Sequence, residues 1–167
     1  MNDRDVIDTL NDLIKLDYDA IEGYEQAVKR AEDPNLRGTL QQFLEDHQRH
    51  TVNLGAEVRK LGGQPPDGPG MMRMLTEGAV MMGAMMHDKG VLQAMSSNEA
   101  ITNRSYEAAL GKLGEHQAAL VVRQNREDER RHKQWVDQQL EAMGASGMDR
   151  GAADARNEAS QRPRDIR

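Results

Sequence analysis

The sequence predicts an all-α protein: a four-helix bundle made of two repeated helical hairpins with a long Met-rich crossover between them. Three observations predict it. The second half repeats the first 82 positions later: without a gap, nine of the 46 positions in residues 17–62 are identical to their partners, where chance at average composition gives roughly three. Apolar residues recur in steps of three and four over four long stretches, the period of a helix with one buried face. Glycine and proline interrupt those stretches where helices should stop.

The first helix is expected over residues 5–30. Its seam is Val6, Leu10, Leu13, Asp17, Ala20, Tyr24 and Ala27, with Ile7, Ile14, Ile21 and Val28 beside it. After the stop at Glu32-Asp33-Pro34-Asn35, Asp33 is suited to cap the second helix and Pro34 to its first turn. The second seam is Leu36, Leu40, Phe43, His47, His50, Leu54 and Leu61. Gly62-Gly63 end this helix and Pro65-Pro66 bar its continuation. The third helix is expected from near Val91, with seam Leu92, Met95, Glu99, Thr102, Tyr106, Ala109 and Leu113, and an end at Gly114. The fourth is expected from near Glu115, with seam Ala118, Val122, Asn125, Glu129, His132, Val136, Leu140 and Met143, and an end at Gly144. The hairpins are thus residues 5–62 and 91–144 of one bundle spanning 1–144. The crossover, 63–90, is long enough to let helices two and three run parallel, and a short helix is expected within it from residue 71 to about 87. Residues 145–167 are small, charged and aperiodic, and read as a disordered tail.

The chain of 167 residues has no cysteine, which excludes disulfides, thiolate zinc sites, iron–sulfur clusters and a thiol nucleophile, and fits a cytoplasmic setting. No apolar run follows the acidic start, so no signal peptide is expected, and no stretch reads as a membrane span. A net charge of −6 argues against nucleic acid as a partner. Aromatic residues make up only 3% of the chain, so the core must come from Leu, Val, Ile, Ala and the 11 methionines.

Six polar residues stand in the apolar seams: Asp17, His47, His50, Glu99, Glu129 and His132. A buried carboxylate or imidazole is costly unless paired or bound to metal. One seam histidine is ordinarily a hydrogen-bonded core residue; six polar residues at matched heights in both repeats point instead to ligands. A hairpin repeated about a two-fold axis sets Asp17 opposite Glu99, His47 opposite Glu129, and His50 opposite His132. The i, i+3 spacings of 47/50 and 129/132 put each pair on one face. Three carboxylates and three imidazoles make an N/O site suited to iron, manganese or zinc and poorly suited to Cu(I). The methionines between residues 71 and 86 invite a copper reading, but flexible side chains packing a groove or a partner subunit explain them better. Gly78, Gly83 and Gly90 weaken any helix there, which would let the segment act as a mobile gate.

On these residues the chain resembles the ferritin-like superfamily of di-iron carboxylate proteins, over residues 5–143. Those proteins take one carboxylate from each of two helices and a Glu-x-x-His pair from each of the other two. Glu129-Arg130-Arg131-His132 matches in full, and with Asp128 it resembles the Asp-Glu-x-Arg-His form of some members. Asp17 to Tyr24 and Glu99 to Tyr106 have the family's carboxylate-to-tyrosine spacing. The chain is similar to small bacterial members with no assigned function. The resemblance implies two metal ions, iron in the family's manner, with Glu129 bridging, Asp17 and Glu99 as terminal carboxylates, and His47, His50 and His132 as nitrogen ligands. It also implies hydrogen bonds from Asp46 to His132 and from Asp128 to His50 that fix the rings. Tyr24 and Tyr106 read as core tyrosines with satisfied hydroxyls, and His116 and Trp135 as ordinary helix residues.

Two departures matter. His47 stands where the family has a bridging glutamate, and Asp17 is one methylene shorter. Three carboxylates leave a smaller negative charge than the usual four, which favours the divalent state. The function expected first is a dinuclear metal-binding protein that oxidises Fe(II) with dioxygen or peroxide. The alternative is a non-enzymatic stress or interaction protein with a structural metal such as zinc; a third reading is a metal-free polar network. A homo-oligomer is expected; iron storage would need a shell of many subunits.

Overall fold

The computed structural model describes the backbone of residues 2–69 and 87–160, with side chains described as far as Gly144. Among these residues there are four helices: α1 (Asp3–Arg30), α2 (Pro34–Lys60), α3 (His87–Leu113) and α4 (Ala119–Ser160). The short helix expected from residue 71 lies outside the described residues.

Local chemistry sets the helix ends. The Asn2 side chain accepts the Asp5 N–H at 2.9 Å, and Asp3 and Asp5 place negative charge at the positive end of α1. Asp33 caps α2 by accepting from Asn35 and Leu36, with Pro34 in the first turn, as the sequence indicated. α2 ends in a Schellman turn: Gly63 N–H reaches the Val58 carbonyl at 2.9 Å, Gly62 N–H reaches that of Arg59 at 3.0 Å, and Gly62 sits at φ +78°. Gly63 is also a close approach, since a Cβ there would lie 2.9 Å from Ile7.

Three boundaries differ from the sequence reading. α3 begins at His87 rather than near Val91. Its first-turn Asp88 accepts from the Glu32 and Asp33 backbone N–H groups, docking it on the α1–α2 turn. α4 begins at Ala119 rather than near Glu115, because Gly114 takes φ +53° and His116 lies in the turn, where its Nδ1 accepts the Ala118 N–H at 3.1 Å. His116 is therefore a turn residue. α4 also runs past Gly144 to Ser160. Gly144 has no positive φ, unlike Gly62 and Gly114, so nothing turns the chain out of the helix there.

Contacts across the bundle fix its directions. Asp17 and Tyr24 of α1 meet Tyr106 and Glu99 of α3, so these helices are antiparallel. Asp46 and His50 of α2 meet His132 and Asp128 of α4, so these are antiparallel too. The short α1–α2 connection makes that pair antiparallel as well, so α2 and α3 run parallel. The end of α2 and the start of α3 therefore lie at opposite ends of helices about 40 Å long.

The interior has two apolar clusters. Val6, Leu10, Leu13, Leu54, Val58, Leu113 and Val122 belong to one. Leu36, Leu40, Phe43, Leu92, Met95 and Val136 belong to the other. Nearly all seam residues named from the sequence are buried; Leu61, Leu140 and Met143 are half-buried. The polar seam residues lie along the helices between the two clusters. No helix among the described residues is long and apolar enough to cross a membrane.

Gly62 and Gly144 should respond oppositely to alanine. Gly62→Ala forces a side chain into the left-handed region and should destabilise by about 1–2 kcal/mol. Gly144→Ala meets no atom within 4 Å and should stabilise by up to about 1 kcal/mol. Urea unfolding of both variants checks the pair; a destabilised Gly144→Ala would restore a helix stop at that residue.

Candidate metal centre

All six polar seam residues are fully buried. α1 supplies Asp17, α2 supplies His47 and His50, α3 supplies Glu99, and α4 supplies Glu129 and His132. The i, i+3 pairs on α2 and α4 face inward one turn apart. The six form two overlapping groups, Asp17–His47–His50–Glu129 and His47–Glu99–Glu129–His132, in each of which one ligand atom per residue lies within 4.8 Å of the others. His47 and Glu129 belong to both and approach at 3.4 Å. They face each other as the two-fold argument required. Asp17 and Glu99 fall in different groups, as do His50 and His132.

The imidazoles are held from behind. His50 Nε2 is 3.1 Å from Asp128 Oδ2, and His132 Nε2 is 2.9 Å from Asp46 Oδ2. With these nitrogens donating, the neutral form of each ring would turn its Nδ1 lone pair inward. Both aspartates are themselves held by two arginines. Arg49 binds Asp46 at 2.6 Å and Asp128 at 2.7 Å, and Arg131 binds Asp46 at 2.6 Å and Asp128 at 2.7 Å. This closed ring of four charges ties α2 to α4 beside the centre.

Tyrosines hold the terminal carboxylates from the opposite hairpin. Tyr24 donates to Glu99 at 2.5 Å, and Tyr106 donates to Asp17 at 2.7 Å. Asn125 Nδ2 in turn lies 3.5 Å from the Tyr106 hydroxyl. Phe43 stacks on His132 with ring centroids 4.0 Å apart. Asn103 donates to the backbone carbonyls of both Glu99 and Glu129, fixing the spacing of α3 and α4 at the site.

After all these bonds, six polar atoms of the centre remain buried without a hydrogen-bond partner: His47 Nε2, His50 Nδ1, Glu99 Oε2, both Glu129 carboxylate oxygens and His132 Nδ1. Unpaired buried acceptors are costly. Such atoms gathered on five neighbouring residues are what a cation would satisfy, and three imidazoles with three carboxylates suit iron, manganese or zinc.

The electrostatics point the same way. Burial works against a charged His50, but its contacts with Asp128, Asp17 and Glu129 push it up to about 10. His47 is likewise buried, yet Glu129, Asp17 and Glu99 hold it well above its ordinary value. Burial and the charge of Glu129 raise Glu99. Glu129 is buried too, but His47 and His50 pull it down to about 2. Burial raises Asp46, and the bonds from His132 and Arg49 outweigh that, holding it at about 2. The His50 bond, helped by both arginines, holds Asp128 far below the usual carboxylate range. Burial, then the neighbouring Glu99 and Asp17, push the Tyr24 and Tyr106 hydroxyls well up, so both remain protonated donors. The carboxylates draw positive charge into the centre, and a divalent cation meets the same demand while displacing protons.

Every site residue expected from the sequence is therefore in the cluster, and the expected Asp46–His132 and Asp128–His50 bonds are present. The partners of the tyrosine hydroxyls, the arginine ring and the roles of Asn103 and Phe43 were not foreseen. Arg49 and Arg131, like Tyr24 and Tyr106, are identical repeat partners, and that was their one signal. Nothing in the sequence marks Asn103, whose counterpart 82 positions earlier is Ile21.

Comparison with protein families matches residues 5–112 to the family described as Domain of unknown function (DUF2383). The chain belongs to this family. Among solved structures, a ferritin like, diiron-carboxylate protein from Bacillus anthracis str. Ames aligns with the DUF2383 chain at a TM-score of 0.65. The alignment covers 84% of this chain and 99% of that one, at 20% sequence identity. At that identity the likeness shows the fold, and the bundle is ferritin-like. Comparison with curated proteins gives no match.

Asp46→Asn and Asp128→Asn should each weaken metal binding by about 10–100-fold, because the charge orienting each imidazole is lost. Competition with a chromophoric chelator measures this; unchanged affinity would mean that the rings are held by packing alone.

Proposed function

We propose that this chain binds two metal ions, iron foremost, in the centre of its bundle, and that it oxidises Fe(II) with dioxygen or hydrogen peroxide. The observation that carries the reading is the convergence of six fully buried N/O side chains, five of which carry atoms without a hydrogen-bond partner. The ferritin-like fold, shared with a protein described as diiron-carboxylate, supports iron in particular. A chain without cysteine suits a reducing compartment, so we place it in the cytoplasm; we also infer a homo-oligomer, because stored iron needs an enclosing shell.

Asp17, Glu99 and Glu129 would supply the carboxylates, with Glu129 shared, and His47, His50 and His132 the nitrogens. Two ferrous ions supply two electrons, enough with two protons to reduce dioxygen to hydrogen peroxide, or hydrogen peroxide to two waters. The protein's own part is positional. Asp46 and Asp128 keep the outer imidazole protons in place. Tyr24 and Tyr106 keep Glu99 and Asp17 from swinging away, and the apolar clusters exclude water.

A second reading is favoured by the complete burial of the six residues and the high share of imidazole: a structural metal such as zinc in a non-enzymatic stress or interaction protein. Loading apo protein anaerobically with Fe(II) and then admitting dioxygen separates the two. Oxidase chemistry predicts uptake of about one dioxygen per two Fe(II) where peroxide is the product, abolished in the Glu129→Ala/His132→Ala double variant. The structural reading predicts no uptake and a large loss of stability on metal removal.

A further inference from the structure

The two metal positions are built differently. Asp17 Oδ1, His47 Nδ1, His50 Nδ1 and Glu129 Oε1 make four nitrogen–oxygen approaches, at 3.0, 3.4, 3.6 and 3.2 Å. An ion with four tetrahedral bonds of about 2.0–2.1 Å holds its ligand atoms about 3.3–3.4 Å apart. The four nitrogen–oxygen approaches bracket that spacing, and they are four of the six edges such a site needs. The 3.0 Å approach is a hydrogen bond between His47 Nδ1 and Asp17 Oδ1, but hydrogen bonding does not account for the closure on the other side, where His50 Nδ1 and Glu129 Oε1 lie 3.2 Å apart and neither has a hydrogen-bond partner. The Nε2 of His50 is committed to Asp128, which leaves Nδ1 as the lone pair facing the quartet.

The second group is looser. Glu99 approaches His47 Nε2 only at 3.8 Å, through an oxygen already bonded to Tyr24. No ion pair links His132 to Glu99 or Glu129 among the described residues; its close carboxylate is Asp46, outside the group. The residue common to both groups sharpens the contrast. A carboxylate in the place of His47 could serve two ions with its two oxygens. A neutral imidazole has one lone pair. If His47 Nδ1 serves the first ion, Nε2 carries the proton and directs it at Glu99, where a second ion would need a lone pair.

Resting on the metal-binding reading above, we propose that the positions are unequal: one ion binds tightly in the four-ligand frame of Asp17, His47, His50 and Glu129, and a second ion binds weakly beside Glu99 and His132, with His47 as the cause.

Titration of the full apo chain with Co(II), followed by visible absorption and calorimetry, tests this without relying on turnover. Four-coordinate Co(II) absorbs far more strongly in the visible than six-coordinate Co(II). The expected result is one tight equivalent with intense absorption, and a second at least about tenfold weaker, in the range usual for coupled sites. His50→Ala should abolish the intense absorption, while His132→Ala should leave it. His47→Glu should bring the second ion to within about threefold of the first. Circular dichroism on each variant establishes that the helices are intact, and His132→Ala controls for loss of any one buried imidazole. Two equally tight ions in the wild type would overturn the inequality and leave the metal-binding reading standing. So would a pale first equivalent, or a first ion lost in His132→Ala and kept in His50→Ala. No binding of Co(II) at all would overturn both.

Discussion

Charge buried at the middle of the bundle is the constraint to which the other features answer. Six ionisable side chains lie on the inner seams with no exposure to water, and each would be costly there alone. The surrounding structure meets that cost from several directions. Tyrosines from the opposite hairpin bond the two terminal carboxylates. Two aspartates hold the outer nitrogens of His50 and His132, and two arginines hold the aspartates. Apolar clusters lie beyond the tyrosines toward either end. What remains unsatisfied is confined to atoms that face inward. A bundle tolerates such a layer because its seams are long: the same helices bury Leu10, Leu40, Leu54 and Leu92 above and below it.

The sequence shows this layer because the seam and the exception to the seam have the same period. Val6, Leu10 and Leu13 predict the inner face of α1, and Asp17 falls on that face by the same count. The 82-residue offset then supplies what a single helix cannot, a second set of polar exceptions at equal height. Helix ends were less legible. Asp33-Pro34 and Gly62-Gly63 are local signals, and both act locally. Gly144 carries the same signal as Gly62, yet lacks its left-handed backbone and is simply a helical residue. The start of α3 depends on Asp88 reaching the Glu32 and Asp33 N–H groups, a contact across 55 and more residues that no local pattern contains. At the site, the tyrosine hydroxyls were expected to be satisfied, but their partners belong to the other hairpin. Only the packing of α1 against α3 brings Tyr24 to Glu99 and Tyr106 to Asp17.

The near-symmetry of the centre makes its departures from symmetry informative. The bonds Tyr24–Glu99 and Tyr106–Asp17 exchange under the 82-residue offset, as do Asp46–His132 and Asp128–His50 and the two arginines. Three inner positions do not. Asp17 pairs with Glu99, His47 with Glu129, and Phe43 with Asn125. The last exchange makes the surroundings of the two histidines unlike: a phenyl ring stacks on His132, whereas Asn125 lies by the tyrosine that packs near His50. One histidine is therefore backed by an apolar ring, and the other lies near a tyrosine that an amide touches.

The exchange of His47 for a carboxylate sets the charge of the whole layer. Asp17, Glu99, Glu129, Asp46 and Asp128 carry five negative charges, and Arg49 and Arg131 return two. With neutral imidazoles the layer keeps three negative charges. One divalent ion leaves it one short of neutrality, and two divalent ions carry it one past. A fourth inner carboxylate, as in the usual ferritin-like pattern, would make two divalent ions the neutral state. With His47 in that position, neutrality is instead reached with one divalent ion and one protonated imidazole. His47 itself is fully buried, where a difference in charge is little screened, so the single residue that breaks the carboxylate pattern would move the electrostatic optimum away from two equally bound ions.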